Sequence, residues 1–503
     1  MEQKRNRKPW VNWLLFIATL IIVFLLGLLA SSIMERRAEA VFAYEPVLDI
    51  KMEYEPRNEV WGENYPRQYE TYYQTADTTF QTKYNGNVMI DMLERDPRMV
   101  VLWAGYGFSK DYTQSRGHVY AVKDIRESLR TGAPMKDDEG PMPNTCWTCK
   151  SPDVPRVMQE TGIAEFYKGA WASRGHQIVN PIGCADCHDP ESMNLRVTRP
   201  ALIEAFQRQG KDVNDVSHQE MRTLVCAQCH VEYYFNEETP VEGVPYLTFP
   251  WDKGTAPEDM LAYYNELEFA DWTHKISKAP MLKAQHPGYE TFLNSIHYKR
   301  GLACADCHMP YVSEGGVKYS NHWMTSPLRH VSTACQSCHR ESESELYDNV
   351  YDKQSKANEI RDQAEIALVR AHVEAGKAWE LGATEEEMQD ILQDIREAQW
   401  YWGYAAQAHG ASAHAPIETL RVLGKSVDVA KEARVKLARV LARHGFTDEV
   451  PYPDIETKEK AQEFVGLDME KLRSEKERFL EEVVPVWDEI AAEREAAYPQ
   501  YEY

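Results

Sequence analysis

CWTCK at 146–150, CADCH at 184–188, CAQCH at 226–230, CADCH at 304–308 and CQSCH at 335–339 decide how this 503-residue chain folds. All ten cysteines lie in these C-x-x-C pairs, so none is left over for a structural disulfide. C-x-x-C-H is the attachment signature of haem c. The spacing has a physical reason: two thiols three residues apart can form thioethers to one porphyrin edge, and the next side chain is then aimed at the iron. The attachment residues are Cys146 and Cys149, Cys184 and Cys187, Cys226 and Cys229, Cys304 and Cys307, and Cys335 and Cys338; the proximal ligands are Lys150, His188, His230, His308 and His339. C-x-x-C pairs also build tetrahedral zinc sites and dithiol redox centres. Neither explains why a residue capable of axial ligation follows the second cysteine five times.

Five covalently bound haem c groups account for the surrounding composition. Each macrocycle is a large apolar body that replaces core side chains. The stretch from 141 to 340, punctuated by Gly, Pro and Asn and modest in apolar content, therefore reads as a haem-packed core. The first cysteines of successive motifs stand 38, 42, 78 and 31 residues apart, which excludes a solenoid of fixed repeat. Residues 41–140 read as loops and short helices. From about 355 to 445, and again from 457 to 497, apolar residues recur at three- and four-residue spacing, as in Ile360, Ala364, Ile366, Ala367, Val369 and Val373. That periodicity predicts long amphipathic helices, with breaks at Gly382, Gly424 and Pro451-Tyr452-Pro453. The fold class is mainly α: a multihaem cytochrome with little β, a haem-packed core and long C-terminal helices. Segment 1–40 precedes a haem-binding catalytic region, 41–345, and a long-helix region, 346–503.

Residues 11–30 form an apolar run preceded by Lys4, Arg5, Arg7 and Lys8 and flanked by Trp10 and Trp13, which is export topology. The run exceeds the ~7–15 residues of a usual signal core and matches the ~20 that span a bilayer. A retained anchor is the leading reading, and Ala38-Glu39-Ala40 offers a cleavage site as the alternative. Either places the remainder in the periplasm or on the outer face of the cytoplasmic membrane. A net charge of -23 excludes nucleic acid as a partner, and an anionic substrate must find a local positive pocket.

An iron with histidine on both faces has no vacancy and suits electron transfer. Lys150 departs from that pattern, and its ammonium must lose a proton before it can bind iron, which desolvation makes easier for lysine than for arginine. It marks the haem that differs from the other four. The bland alternative leaves Lys150 at the surface with another ligand on that haem.

One C-x-x-C-K followed by four C-x-x-C-H resembles the pentahaem cytochrome c nitrite reductase family over roughly residues 60–500. Further strings carry the resemblance: Arg116-Gly117-His118, Leu129-Arg130-Thr131-Gly132-Ala133-Pro134, Cys229-His230-Val231-Glu232-Tyr233-Tyr234, Lys283-Ala284-Gln285-His286, His322-Trp323 and 409–416. The resemblance implies dissimilatory reduction of nitrite to ammonium with six electrons at the Lys150 haem, the other four haems relaying electrons. It implies a distal pocket of Arg130, Tyr233 and His286. Their chemistry is apt: fixed charge and forked donors for an anion, a phenol O–H, and an imidazole for proton transfer. It also implies a calcium ion held by the side chains of Glu232 and Gln285 and the carbonyls of Tyr233 and Lys283, a donor set that suits a hard cation.

As distal ligands the resemblance selects His118 for the third-motif haem, His322 for the second, His297 for the fifth and His414, from the long-helix region, for the fourth. His409, placed with His414 in one helical stretch, stays open as the alternative. His176, His218, His274, His330, His372 and His444 are left as ordinary histidines. A homodimer through the long helices and an electron donor, either a quinol-oxidising membrane cytochrome or a soluble multihaem protein, complete what the resemblance implies. Two other readings stand beside it: a pentahaem relay with a capped lysine haem, and a reductase acting on hydroxylamine or sulfite.

Overall fold

A computed structural model describes residues 8–41, 47–237 and 243–501; Lys4, Arg5 and Arg7 lie outside them. Helix α1 (Pro9–Val41) carries the apolar run, and its Pro9–Met34 portion is long and apolar enough to cross a membrane, with none of its most apolar window buried. The helix continues through Ala38-Glu39-Ala40.

Between residues 47 and 340 the chain folds into short helices and turns. Among the described residues, β structure is confined to four two-stranded antiparallel pieces. The longest pairs Tyr311–Glu314 with Val317–Ser320, between the fourth motif and His322. Helix α2 (His218–Ala227), capped by the Ser217 hydroxyl, runs straight into the third motif. This middle region contributes more side-chain core than its composition suggests. Trp147 and Trp171 stack 4.7 Å apart, and Trp171 meets Phe479 and Trp487. The C-terminal helices thus close over the first motif.

Beyond residue 340 the predicted long helices are present: α3 (Glu343–Glu380), α4 (Glu385–Gln407), the one-turn α5 (Ala411–His414), α6 (Pro416–Arg443), α7 (Met469–Glu482) and α8 (Val484–Ala496). Capping boxes start α3 at Ser342 and Glu345 and α4 at Thr384 and Glu387, each satisfying two N–H groups that a helix start leaves open. Small buried residues on α3 (Ala364, Ala367, Ala371) and α6 (Ala430, Ala433) let these helices pack closely. Because α3 starts at Glu343, a boundary at 345/346 falls inside its first turn.

Gly382, at φ +88°, follows α3 as predicted, but Gly424 breaks nothing. It lies inside α6, where a mid-helix glycine costs about 1 kcal/mol and burial of Val422, Leu423 and Val427 outweighs it. The break falls instead at 408–415, before Pro416 restarts the helix from its first turn, a position where proline loses no hydrogen bond. His409 and His414 therefore do not share one helix.

His274 and His372 are more than ordinary histidines. Their rings stack 3.7 Å apart in full burial. His274 donates to Val101 O (2.8 Å) and His372 to Gln399 Oε1 (2.8 Å), while the Ser277 hydroxyl meets His372 Nδ1 at 2.9 Å. Burial lowers His372 from its ordinary 6.5 to about 4. The unfolded chain thus binds a proton that the folded chain refuses between those values, so stability rises with pH across that window. Acidification from pH 6.5 to 4 is expected to cost about 3 kcal/mol through His372. Calorimetric melting as a function of pH checks this, with His372→Gln flattening the slope.

Candidate functional site: four imidazole pairs and a lysine motif

The histidines gather in facing pairs. His118 and His230 have ring centroids 6.3 Å apart, His188 and His322 6.1 Å, His297 and His339 6.2 Å, and His308 and His414 6.1 Å. These separations fit one metal between two imidazoles, each with a nitrogen about 2 Å from it. Three rings are fixed through Nδ1, which meets a carbonyl oxygen: Met193 O for His188 (2.9 Å), Thr325 O for His308 (2.9 Å) and Ser320 O for His322 (2.7 Å). Such a bond fixes the tautomer and leaves Nε2 as the lone-pair donor. Burial pushes His118, His230 and His322 down to about 4 and His414 to about 3. Neutral imidazole is the form a metal needs.

His414, rather than His409, stands opposite His308. His409 stacks on Tyr112 instead, with 6.4 Å between ring centroids. The cysteines link the motifs in space. Cys149 lies close enough to Cys229, and Cys226 to Cys304, for each sulfur to act on the other, so the third motif adjoins both the first and the fourth. Among the described residues no group of three or more His, Cys, Asp or Glu stands as a metal cluster.

Around the first motif the picture differs. Lys150 and Arg130 are charges that act on the buried Cys146 thiol, and Lys150 is among the charges that depress His286, after burial itself. Tyr233 and His286 face each other with 6.0 Å between ring centroids. Burial raises the Tyr233 phenol well above its ordinary value, with Cys149 and Cys146 adding to the effect. It therefore remains a neutral O–H donor. The Arg130 guanidinium lies 4.4 Å over the Phe108 ring, and its Nε donates to Ser128 Oγ at 3.0 Å. Lys283 Nζ lies 4.5 Å from the same ring. Arg130, Tyr233 and His286 thus surround one motif.

Two strings that carry this pocket are zipped together. Gln285 N donates to Glu232 Oε2 (2.5 Å), Tyr289 N to His230 O (3.0 Å) and Glu232 N to Glu290 Oε1 (2.9 Å). Glu232 is fully buried and also accepts from Tyr264 Oη (3.0 Å). Burial first, then Glu290, raises it well above the usual carboxylate range. Glu290 Oε2 is buried without a partner. Two carboxyls out of water beside backbone carbonyls fit a hard cation that would offset their charge. Glu290, Tyr264 and Asp271, which accepts from Lys283 N at 2.8 Å, escaped the sequence reading. No motif marks a lone carboxylate, although Glu290 follows His286 by four residues.

A mainly helical chain with C-x-x-C-H motifs and paired imidazoles defines a c-type cytochrome. Residues 57–496 match the cytochrome c552 family model, and the chain belongs to that family. It is 57% identical to cytochrome c-552 of Porphyromonas gingivalis W83, with 97% of each chain covered, and 48% identical to that of Aliarcobacter butzleri RM4018, with 95% of each covered. It also resembles the catalytic subunit of cytochrome c nitrite reductase from Desulfovibrio desulfuricans ATCC 27774, a structure described for the relevance of its two calcium sites. The TM-score is 0.72 at 31% identity, covering 84% of this chain and 91% of that one.

Proposed function

We propose that this protein reduces nitrite to ammonium, with six electrons, at a haem attached to Cys146 and Cys149 and ligated by Lys150. The single observation that carries the reading is the asymmetry of the five motifs. Four motif histidines face a second imidazole near 6 Å, whereas the first motif has Lys150 beside Arg130, Tyr233 and His286. When bound, the lysine-ligated haem would supply an iron with an exchangeable face, and the four bis-histidine haems would relay to it the six electrons that the donor protein provides. Arg130 draws the anion in against the net charge of -23 and orients it with forked donors. Tyr233 donates an O–H to a nitrite oxygen. His286, held neutral, offers one N–H and accepts protons at the other nitrogen.

Calcium at Glu232, Gln285 and the carbonyls of Tyr233 and Lys283 would hold the two pocket strings in register. Removing it with a chelator is expected to lower turnover by about 10–100-fold, with recovery on adding calcium back; stopped-assay rates before and after dialysis check it. Export and anchoring by α1 fit its exposed apolar surface. A second copy of the chain is the partner expected to cover the exposed Ile366 and Val435 of α3 and α6. A quinol-oxidising membrane cytochrome or a soluble multihaem protein is the donor.

Steady-state nitrite reduction by purified, haem-loaded protein, with the product analysed, tests the activity. A high-spin haem signal that shifts on adding nitrite or cyanide separates an enzyme from a capped relay, and its absence would favour the relay. Slower turnover of nitrite than of hydroxylamine or sulfite would favour the related reductases.

A further inference from the structure

Arg199, with only 1% of its surface exposed, is one of the largest fully buried side chains outside the pocket, and every branch of its guanidinium is used. Nε donates to Thr148 O at 2.5 Å and Nη2 to Ser151 O at 2.8 Å. Those two carbonyls bracket Cys149 and Lys150. Nη1 donates to Thr198 Oγ1 at 2.6 Å, and Nη2 also hydrogen-bonds and ion-pairs with Asp186 of the second motif. The third motif joins through Gln228, whose Oε1 accepts from Arg199 N (3.1 Å) and Thr198 N (2.9 Å) and whose Nε2 donates to Asp186 O (2.9 Å). Asp186 and Gln228 occupy the variable positions of their C-x-x-C-H motifs. Asp186 ties the second motif to the guanidinium, and Gln228 ties the third to the Arg199 backbone and to Asp186.

The chemistry of lysine explains why the first motif needs such a device. An imidazole ligand has a second nitrogen that a carbonyl can hold, as Met193 O holds His188 and Thr325 O holds His308. A lysine ligand has one nitrogen on a flexible four-carbon stem. Fixing the backbone where the stem leaves it narrows the directions that nitrogen can take. Two carbonyls clamped on either side of Lys150 by a planar, pre-organised fork do that.

We propose that Arg199 is the positioning residue of Lys150, anchoring the backbone of the lysine motif to the second and third motifs. The proposal rests on Lys150 being an iron ligand. It acts through Lys150 and touches no substrate, so binding of nitrite should be unaffected while the chemical step suffers.

The test uses the full haem-loaded protein. Near-infrared magnetic circular dichroism, recorded with imidazole added to fill the exchangeable face of the lysine haem, distinguishes the resulting low-spin amine-ligated haem from bis-imidazole haem, and wild-type protein should show one of the first and four of the second. Arg199→Lys keeps the charge and loses the fork. It is expected to retain five haems and the bis-imidazole signal, to lose more than half of the amine-ligated signal, and to lower kcat by about 10²-fold with KM for nitrite unchanged. An unchanged amine-ligated signal would overturn the proposal, as would an equal loss of both signals. If Arg199→Lys fails to load five haems, Thr198→Val, which removes the Nη1 acceptor together with the hydroxyl's bonds to Asp186 O (3.0 Å) and Gln228 Oε1 (3.3 Å) in the same cluster, decides by the same signal: partial loss supports the role and no loss overturns it. Wild-type protein with no amine-ligated haem would remove the Lys150 reading itself, and the proposal with it.

Discussion

Lys150→His is expected to retain five covalently bound haems and to lose nitrite turnover by about 10²-fold or more. Attachment depends on the paired thiols, which the substitution leaves alone. Turnover depends on where the backbone at residue 150 presents its donor atom, and that backbone is held from Thr148 O and Ser151 O for a stem longer than that of histidine. An imidazole projected from the same Cα cannot occupy the position of the Lys150 amine. Haem content measured on the purified variant, together with its steady-state rate, checks the outcome. Undiminished nitrite reduction would move catalysis to another haem.

The expected asymmetry shows how far a sequence carries this protein. The helical class and the long C-terminal helices were legible because both signals are local: five short motifs, and apolar spacing sustained over several turns. Gly424 misled because helix propensity is a weak local preference that buried neighbours such as Val422 and Val427 override. The break at 408–415 has no strong local mark beyond Pro416. Facing imidazoles are a different kind of information. His118 lies 112 residues before His230 in the chain, and His414 lies 106 after His308. No spacing rule links them, and their assignment depended on resembling strings. Least visible of all were the groups that support the pocket. Arg199 and Glu290 are single charged residues, ordinarily solvated, and only full burial with saturated or orphaned hydrogen bonds distinguishes them; Asp271 is distinguished only by the bond it accepts from Lys283 N.

Burial also explains why the pocket relies on arginine for charge. Lys283 lies on the other contact of Phe108, but burial pushes its amine down to about 7, with Arg130 adding to the effect. A group poised there cannot guarantee a positive charge at neutral pH, whereas the Arg130 guanidinium keeps its own. Arg130→Ala is therefore expected to raise KM for nitrite by about 10–100-fold, the loss of a charge-assisted hydrogen bond. KM for hydroxylamine, which is uncharged, should rise far less, because it makes no use of the fixed charge. Arg130→Lys should fall between, restoring charge without the planar fork. Steady-state kinetics of both substrates across these variants decides the matter. Equal increases for nitrite and hydroxylamine would mean that Arg130 shapes the pocket, through its contacts with Phe108 and Ser128, instead of capturing the anion.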